Sequence, residues 1–273
     1  MPRGCSSLTD LFRSVSLSNP VFEHENLRAV TVKSAALGHR GDVLVWVPEA
    51  AEISTLLILL HGVYGSHWSW ALEGGVHRTA ALLLSQGRIA PMVIAMPSDG
   101  LARDGSGYLS WPGHEDVERW IVEETPAIAR IAAPALRKDA RVALAGLSMG
   151  GYGALRLGAK YPEYFSAISA HSAITDIVEM EQIIEEPIAD YLSVAPRDEL
   201  SALHWLRQNR DRLPRLRFDC GTEDPLIEGN RKLHQALKSE GIAHTWQEFP
   251  RGHEWAYWQE HVVETLEFAN CAT

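Results

Sequence analysis

Residues 146–155 read GLSMGGYGAL, a serine among four glycines directly after the apolar run ARVALA. A serine hydroxyl is a weak nucleophile until a base takes its proton, so a chemical reading needs a base and an acid elsewhere in the chain. The G-x-S-x-G spacing of Gly146, Ser148 and Gly150 suits a sharp strand-to-helix turn. Small neighbours there let strand and helix approach while the serine takes a strained backbone. The N-terminus of the following helix would favour negative charge developing nearby. Small residues also recur in turns by chance, and only the predicted strand before and helix after give the motif its meaning.

A nucleophile elbow of this kind is followed in chain order by an acid and then a histidine. FDCGTEDPL offers Asp224 at the carboxyl end of a predicted strand, and FPRGHEWAYW offers His253 after the last one. His253 would take the Ser148 proton, and Asp224 would orient the imidazole and stabilise its charged form. The chain has 12 histidines, so alternatives exist. His171 precedes Asp224, the wrong order for the base, and His61 reads as shaping the turn at Gly62. Asp219 falls inside the strand pattern. Glu223 stays open as the acid, with Asp224 preferred because it directly precedes Pro225 where the chain leaves the strand.

An oxyanion needs two donors. One is the backbone N–H of the residue after the nucleophile, Met149. The loop LHGVYGSHWSW supplies the other, with Val63 N–H preferred and Tyr64 second. Tyr64, Trp68, Trp111 and His171 are expected to line the substrate pocket. The chain carries nine tryptophans, and Trp255 and Trp258 also fall near the site. Aromatic walls suit apolar acyl groups, aryl alcohols or sugar faces. The Gly-rich stretch SDGLARDGSGYLSWPGH reads as a mobile loop that could bring Tyr108 and Trp111 over a substrate.

The elements that must position these groups alternate. AVTVKS and DVLVWVP read as an antiparallel pair, and TLLILLHG, APMVIAMPSDG, ARVALAG, FSAISAHS, PRLRFDCG and HTWQEFP read as further strands. Helical spacing fills the gaps between them, with a kink expected at Pro126. This rhythm predicts a mostly parallel α/β sheet with helices on both faces, in one domain spanning 1–273. Residues 1–25 read as an irregular segment. Residues 172–210, acidic and mixed, read as a small helical insertion or lid over the sheet's carboxyl edge.

Composition narrows the partners. The net charge is −10, which argues against a nucleic-acid footprint and against anionic membrane surfaces. No apolar run is long enough to span a bilayer. Three cysteines, Cys5, Cys220 and Cys271, with no CxxC, fit reduced thiols. With no signal-like start, a cytoplasmic location is expected. No metal-ligand spacing and no dinucleotide fingerprint occur, so no metal and no cofactor is implied. A small-molecule partner is expected, and a homo-oligomer stays open.

Together LLHGVYGSHWSW, GLSMGGYGALRLGAKYPEYFSAISAHSA, CGTEDPLIEGNRKLHQALKSEGI and FPRGHEWAYWQEH resemble the esterase D-like family of α/β-hydrolases, over roughly residues 29–268. The resemblance is strongest to its tributyrin-esterase-like short-chain carboxylesterases. It implies an α/β-hydrolase fold and hydrolysis of short-chain acyl esters through an acyl-enzyme. It also implies Ser148 as nucleophile, Asp224 as acid, His253 as base, and the Val63 and Met149 N–H groups as oxyanion hole. Relatives that hydrolyse S-formylglutathione carry a cysteine in the loop after the third strand, where this chain has HGVYGSH. Cinnamoyl, feruloyl and acetyl-sugar esterases and acyltransferases share the pattern and remain alternatives.

Overall fold

The computed structural model describes residues 11–271. Nine strands form one sheet: β1 (Phe12–Leu17), β2 (Leu27–Ser34), β3 (Arg40–Trp46), β4 (Ile53–Leu60), β5 (Val93–Pro97), β6 (Leu136–Leu147), β7 (Ala167–His171), β8 (Arg215–Gly221) and β9 (Thr245–Phe249). Their spatial order is β1-β2-β3-β5-β4-β6-β7-β8-β9. The pairs from β1 to β5 across β2 and β3 are antiparallel, and every pair from β5 through β9 is parallel.

The apolar runs are continuous because both faces are covered. In β4, Leu56, Ile58 and Leu60 point into one core, where Ile128 and Ala132 of helix α2 (Thr125–Ala132), Tyr152 and Leu155 of α3 (Met149–Lys160), and Leu206 of α4 (Ala202–Gln208) meet them. Leu233 and Leu237 of α5 (Ile227–Ser239) complete that layer. Leu57 and Leu59 point the other way, toward Ala80 and Leu83 of α1 (Val76–Ser85) and Val262 and Leu266 of α6 (Trp255–Asn270). The period of two along the strand thus splits one sequence run between two cores.

Two expectations need correcting here. The segment 1–25 is not irregular throughout. Residues 1–10 lie outside the described part, but Phe12–Leu17 pairs with β2, with Val15 opposite Val32 and Leu17 opposite Val30. This is an exposed edge strand, so its side chains lack the apolar alternation that marks a half-buried one. The long helix does not simply kink at Pro126. A wider turn at Trp120–Glu124 precedes it, and the Trp120 carbonyl accepts from both the N–H and the hydroxyl of Thr125. Pro126 then falls in the first turn of α2, where its missing N–H costs nothing.

The insertion 172–210 forms short helical pieces anchored by buried Ile177, Met180, Tyr191, Leu200 and Leu206. Tyr191 Oη donates to Gly105 O at 2.6 Å, tying the insertion to the 99–106 loop. Below it, Arg156 of α3 is buried and donates to Glu118 Oε1 at 2.6 Å and to Tyr108 O at 2.9 Å. Lys160 and Tyr161 reach the other oxygen of the same carboxylate. Burial alone would raise the Glu118 pKa, but the charges of Arg156 and Lys160 outweigh it and hold it at about 2.

Removing one partner of such a buried pair strands the other charge. Glu118→Gln is therefore expected to lower unfolding free energy at pH 7 by ~3 kcal/mol in urea titrations. The folded pKa lies below the ordinary 4.5. The carboxylate's contribution is thus full above that pH, and the gap between the two proteins should close as pH falls toward about 2. Equal stability at pH 7 would contradict this role.

Candidate active site

The elbow forms where β6 ends. Gly146 lies opposite Leu60 of β4 and Ala170 of β7, and Leu147 lies opposite His171. Ser148 follows with φ +54° and ψ −119°, a region L-residues rarely enter, and Met149 begins α3. Three backbone bonds over-determine that conformation. Ser148 N–H donates to His171 O at 3.0 Å, and Ser148 O accepts from Tyr152 N–H and Ile174 N–H at 3.1 Å each. The flanking glycines answer a space demand. A Cβ on Gly150 would lie 2.6 Å from His61 O and closer still to Leu60 O, and one on Gly146 would overlap the Gly150 carbonyl.

The three side chains predicted from chain order meet. His253 Nε2 lies 3.0 Å from Ser148 Oγ, and His253 Nδ1 lies 2.9 Å from Asp224 Oδ2. The carboxylate can only accept, so Nδ1 carries the hydrogen and Nε2 faces the hydroxyl with its lone pair. The other Asp224 oxygen accepts from Leu226 N–H at 2.8 Å, which fixes the carboxylate. Ser148 and Asp224 are buried, while His253 keeps a quarter of its side chain exposed. Trp258 packs its edge at 89° to the His253 ring, 5.0 Å away. Glu223 is exposed, and among the described residues its one hydrogen bond is from its N–H to Arg251 O, so the structure separates it from Asp224.

Two N–H groups remain for an oxyanion. Among the described residues neither Val63 N–H nor Met149 N–H has a hydrogen-bond partner. Tyr64 N–H, the second choice, is already spent on Asp104 O at 3.1 Å. Ser148 and His253 open onto a cleft of about 520 Å³ whose walls include Val63, Tyr64, Trp68, Ile183, Trp255 and Trp258. Tyr64 and Trp68 are thus on the wall of this cleft.

Trp111 and His171 do not line this cleft. Trp111 is buried, donates from Nε1 to Ser106 O at 3.1 Å, meets the Tyr191 ring edge-on, and carries the Arg103 guanidinium 3.6 Å from its ring centre. The Gly-rich loop folds inward because Asp99 accepts from Leu101 N–H and Ser106 N–H. Tyr108 is buried with it and donates to His61 O, so neither aromatic is placed to close over the cleft.

His171 sits under the elbow with its ring nitrogens on Asp219 Oδ1 at 2.9 Å and Thr265 Oγ1 at 2.7 Å. Arg217 Nη2 and Tyr257 Oη also donate to Asp219. Burial would raise the Asp219 pKa, but His171 and Arg217 outweigh it and hold it at about 2. Burial, and then the Asp219 charge, push the Tyr257 hydroxyl well up.

Sequence reasoning missed Leu147, Ile183, Glu73 and Glu254, which also line the cleft. Ile183 comes from the insertion, and no one-dimensional signal marks it. Glu254 directly follows His253, and its exposure at a helix start was the available cue.

The profile of a family described as "Putative esterase" matches residues 34–269. An acetyl esterase of Caldicellulosiruptor saccharolyticus is 27% identical over 228 residues, covering 78% of this chain and 82% of that protein. A ferulic acid esterase structure superposes with TM-score 0.73 at 24% identity, covering 94% of this chain and 98% of the other. An S-formylglutathione hydrolase structure from Staphylococcus aureus gives TM-score 0.75 at 19% identity, covering 90% and 98%.

The contacts at Gly150 are with the backbone of Leu60 and His61, which cannot swing away as a side chain can. Gly150→Ala is expected to cost more than ~4 kcal/mol, measured by thermal or urea unfolding, or to prevent soluble folding. A soluble Gly150→Ala protein with unchanged stability would show that the turn is looser than described.

Proposed function

This chain belongs to the putative esterase family, and we propose that its ester hydrolysis runs on Ser148, His253 and Asp224. The observation that carries this reading is the unbroken chain Asp224–His253–Ser148, with spacings of 2.9 and 3.0 Å, opening onto the cleft. Ser148 Oγ attacks the ester carbonyl while His253 Nε2 takes its proton, and Asp224 stabilises the imidazolium. The developing oxyanion is met by Val63 N–H and Met149 N–H at the head of α3. The imidazolium then protonates the departing alkoxide, leaving an acyl-serine. Water, deprotonated by His253, attacks that acyl-serine and regenerates Ser148.

Size and charge of the cleft support a small, neutral ester. Its volume of about 520 Å³ must hold both acyl and alcohol parts, toward the lower half of the range for small-molecule sites. Apolar Leu147, Ile183 and Trp258 stand beside Ser148 and His253 on its wall. Glu73 and Glu254 add two carboxylates, and no lysine or arginine is among its lining residues. This disfavours alcohols or thiols that carry carboxylates, and with them a glutathione thioester. The acetyl esterase relative fits a short acyl chain. The free thiols of Cys220 and Cys271 fit a reducing, cytoplasmic setting. Among the described residues no helix is long and apolar enough to cross a membrane.

Ser148→Ala and His253→Ala are each expected to lower kcat on p-nitrophenyl acetate by about 10⁴-fold or more, whereas His171→Ala, if folded, keeps the catalytic groups. In a C2-to-C12 p-nitrophenyl ester series, kcat/KM should peak at C2 to C4. An optimum at C8 or longer would overturn the short-chain reading, and full activity in Ser148→Ala would overturn the mechanism.

A further inference from the structure

We propose that His61 is a positioning residue for the oxyanion hole, acting through the Gly62–Val63 peptide; this rests on the Ser148 mechanism above. Gly62 C=O and Val63 N–H are the two ends of one planar trans peptide and point in opposite directions. Whatever holds the Gly62 oxygen therefore aims the Val63 hydrogen. That oxygen has two donors: His61 Nδ1 at 2.8 Å and Gly65 N–H at 3.1 Å. A carbonyl only accepts, so Nδ1 must carry the ring hydrogen.

The imidazole is closely enclosed. His61 is 2% exposed, with its Nε2 facing Asp99 Oδ1 at 3.7 Å. Asp99 is itself fixed by the N–H groups of Leu101 and Ser106. Tyr108 lies edge-on to the ring and donates to the His61 carbonyl at 3.0 Å. A Cβ on Gly65 would stand 2.9 Å from His61 Nδ1, so glycine is what lets the loop close over the ring. On the other side, a Cβ on Gly62 would lie 3.3 Å from Ser148 Cβ, which places this peptide directly against the nucleophile. The next N–H, that of Tyr64, is taken by Asp104 O, and Val63 N–H stays free among the described residues.

The two donors on the Gly62 oxygen do two things. They fix the peptide plane, and by polarising the C=O they make the N–H at its far end a stronger donor. Neither gain matters to a ground-state ester as much as to a full oxyanion, so the effect should fall on kcat more than on KM.

The test compares two polar replacements. An asparagine side-chain amide reaches roughly the place of Nδ1, and a glutamine amide that of Nε2. His61→Asn should therefore keep kcat on p-nitrophenyl acetate within about threefold, while His61→Gln should lose about 10- to 100-fold with KM within about threefold. Affinity for a trifluoromethyl ketone should fall in parallel with kcat/KM in His61→Gln. There Ser148 Oγ adds to the ketone carbon, its proton passes to His253, and the ketone oxygen becomes the oxyanion. The shape of the kcat/KM pH profile should be the same in both variants. Equal kcat in the two variants, or a loss confined to KM, would overturn the proposal. Full activity in Ser148→Ala would instead overturn the mechanism on which it rests, whatever the His61 variants do.

Discussion

Ser148 sits at φ +54° and ψ −119°, and the neighbouring structure is arranged around keeping it there. A backbone in that region costs of order 1–3 kcal/mol unless its surroundings over-determine it. Here β6 is held in register on both sides, by β4 at Leu60 and by β7 at His171. The same His171 whose carbonyl takes the Ser148 N–H has its ring locked between Asp219 and Thr265. The strain at one residue is thus spread over four strands and α6. Gly146 and Gly150 make this possible by letting β4 and α3 come within backbone contact.

Around that fixed point the proposed reacting groups come from loops at the carboxyl ends of parallel strands, as open α/β sheets arrange their sites. Asp224 follows β8, His253 follows β9, and Val63 follows β4. Each loop is pinned by its own hydrogen bonds: Leu226 N–H on Asp224 Oδ1, Glu223 N–H on Arg251 O, and Gly65 N–H on Gly62 O. Two buried ion pairs lie below and beside this layer. Arg217 and Asp219 stand under the elbow, and Arg156 and Glu118 at the side of α3. They hold elements, and they leave His253 as the ring nitrogen facing the serine.

The elbow, and the meeting of Ser148, Asp224 and His253, were legible because each follows a strand and their chain order suits the proposed roles. The parallel sheet was legible from apolar runs too long to alternate. What the sequence could not show depends on how loops turn. The aromatic stretch ending at Trp111 looked free to reach the substrate, but the Asp99 carboxylate draws that loop inward and buries Trp111 and Tyr108. His171 lies at a strand end as His253 does, yet its ring points beneath the sheet edge into α6 rather than up into the cleft. The strand Phe12–Leu17 was unreadable because an edge strand needs no buried face. Ile183 reaches the cleft only because the insertion folds back over it, which no local pattern encodes.

The central claim is that Ser148 alone, among the chain's serines, is activated by His253. Labelling with a fluorophosphonate followed by peptide mass mapping tests it directly. The account predicts one adduct per chain, on the peptide containing Ser148, and loss of that adduct in His253→Ala. An adduct on any other residue, or undiminished labelling of Ser148 without His253, would contradict it.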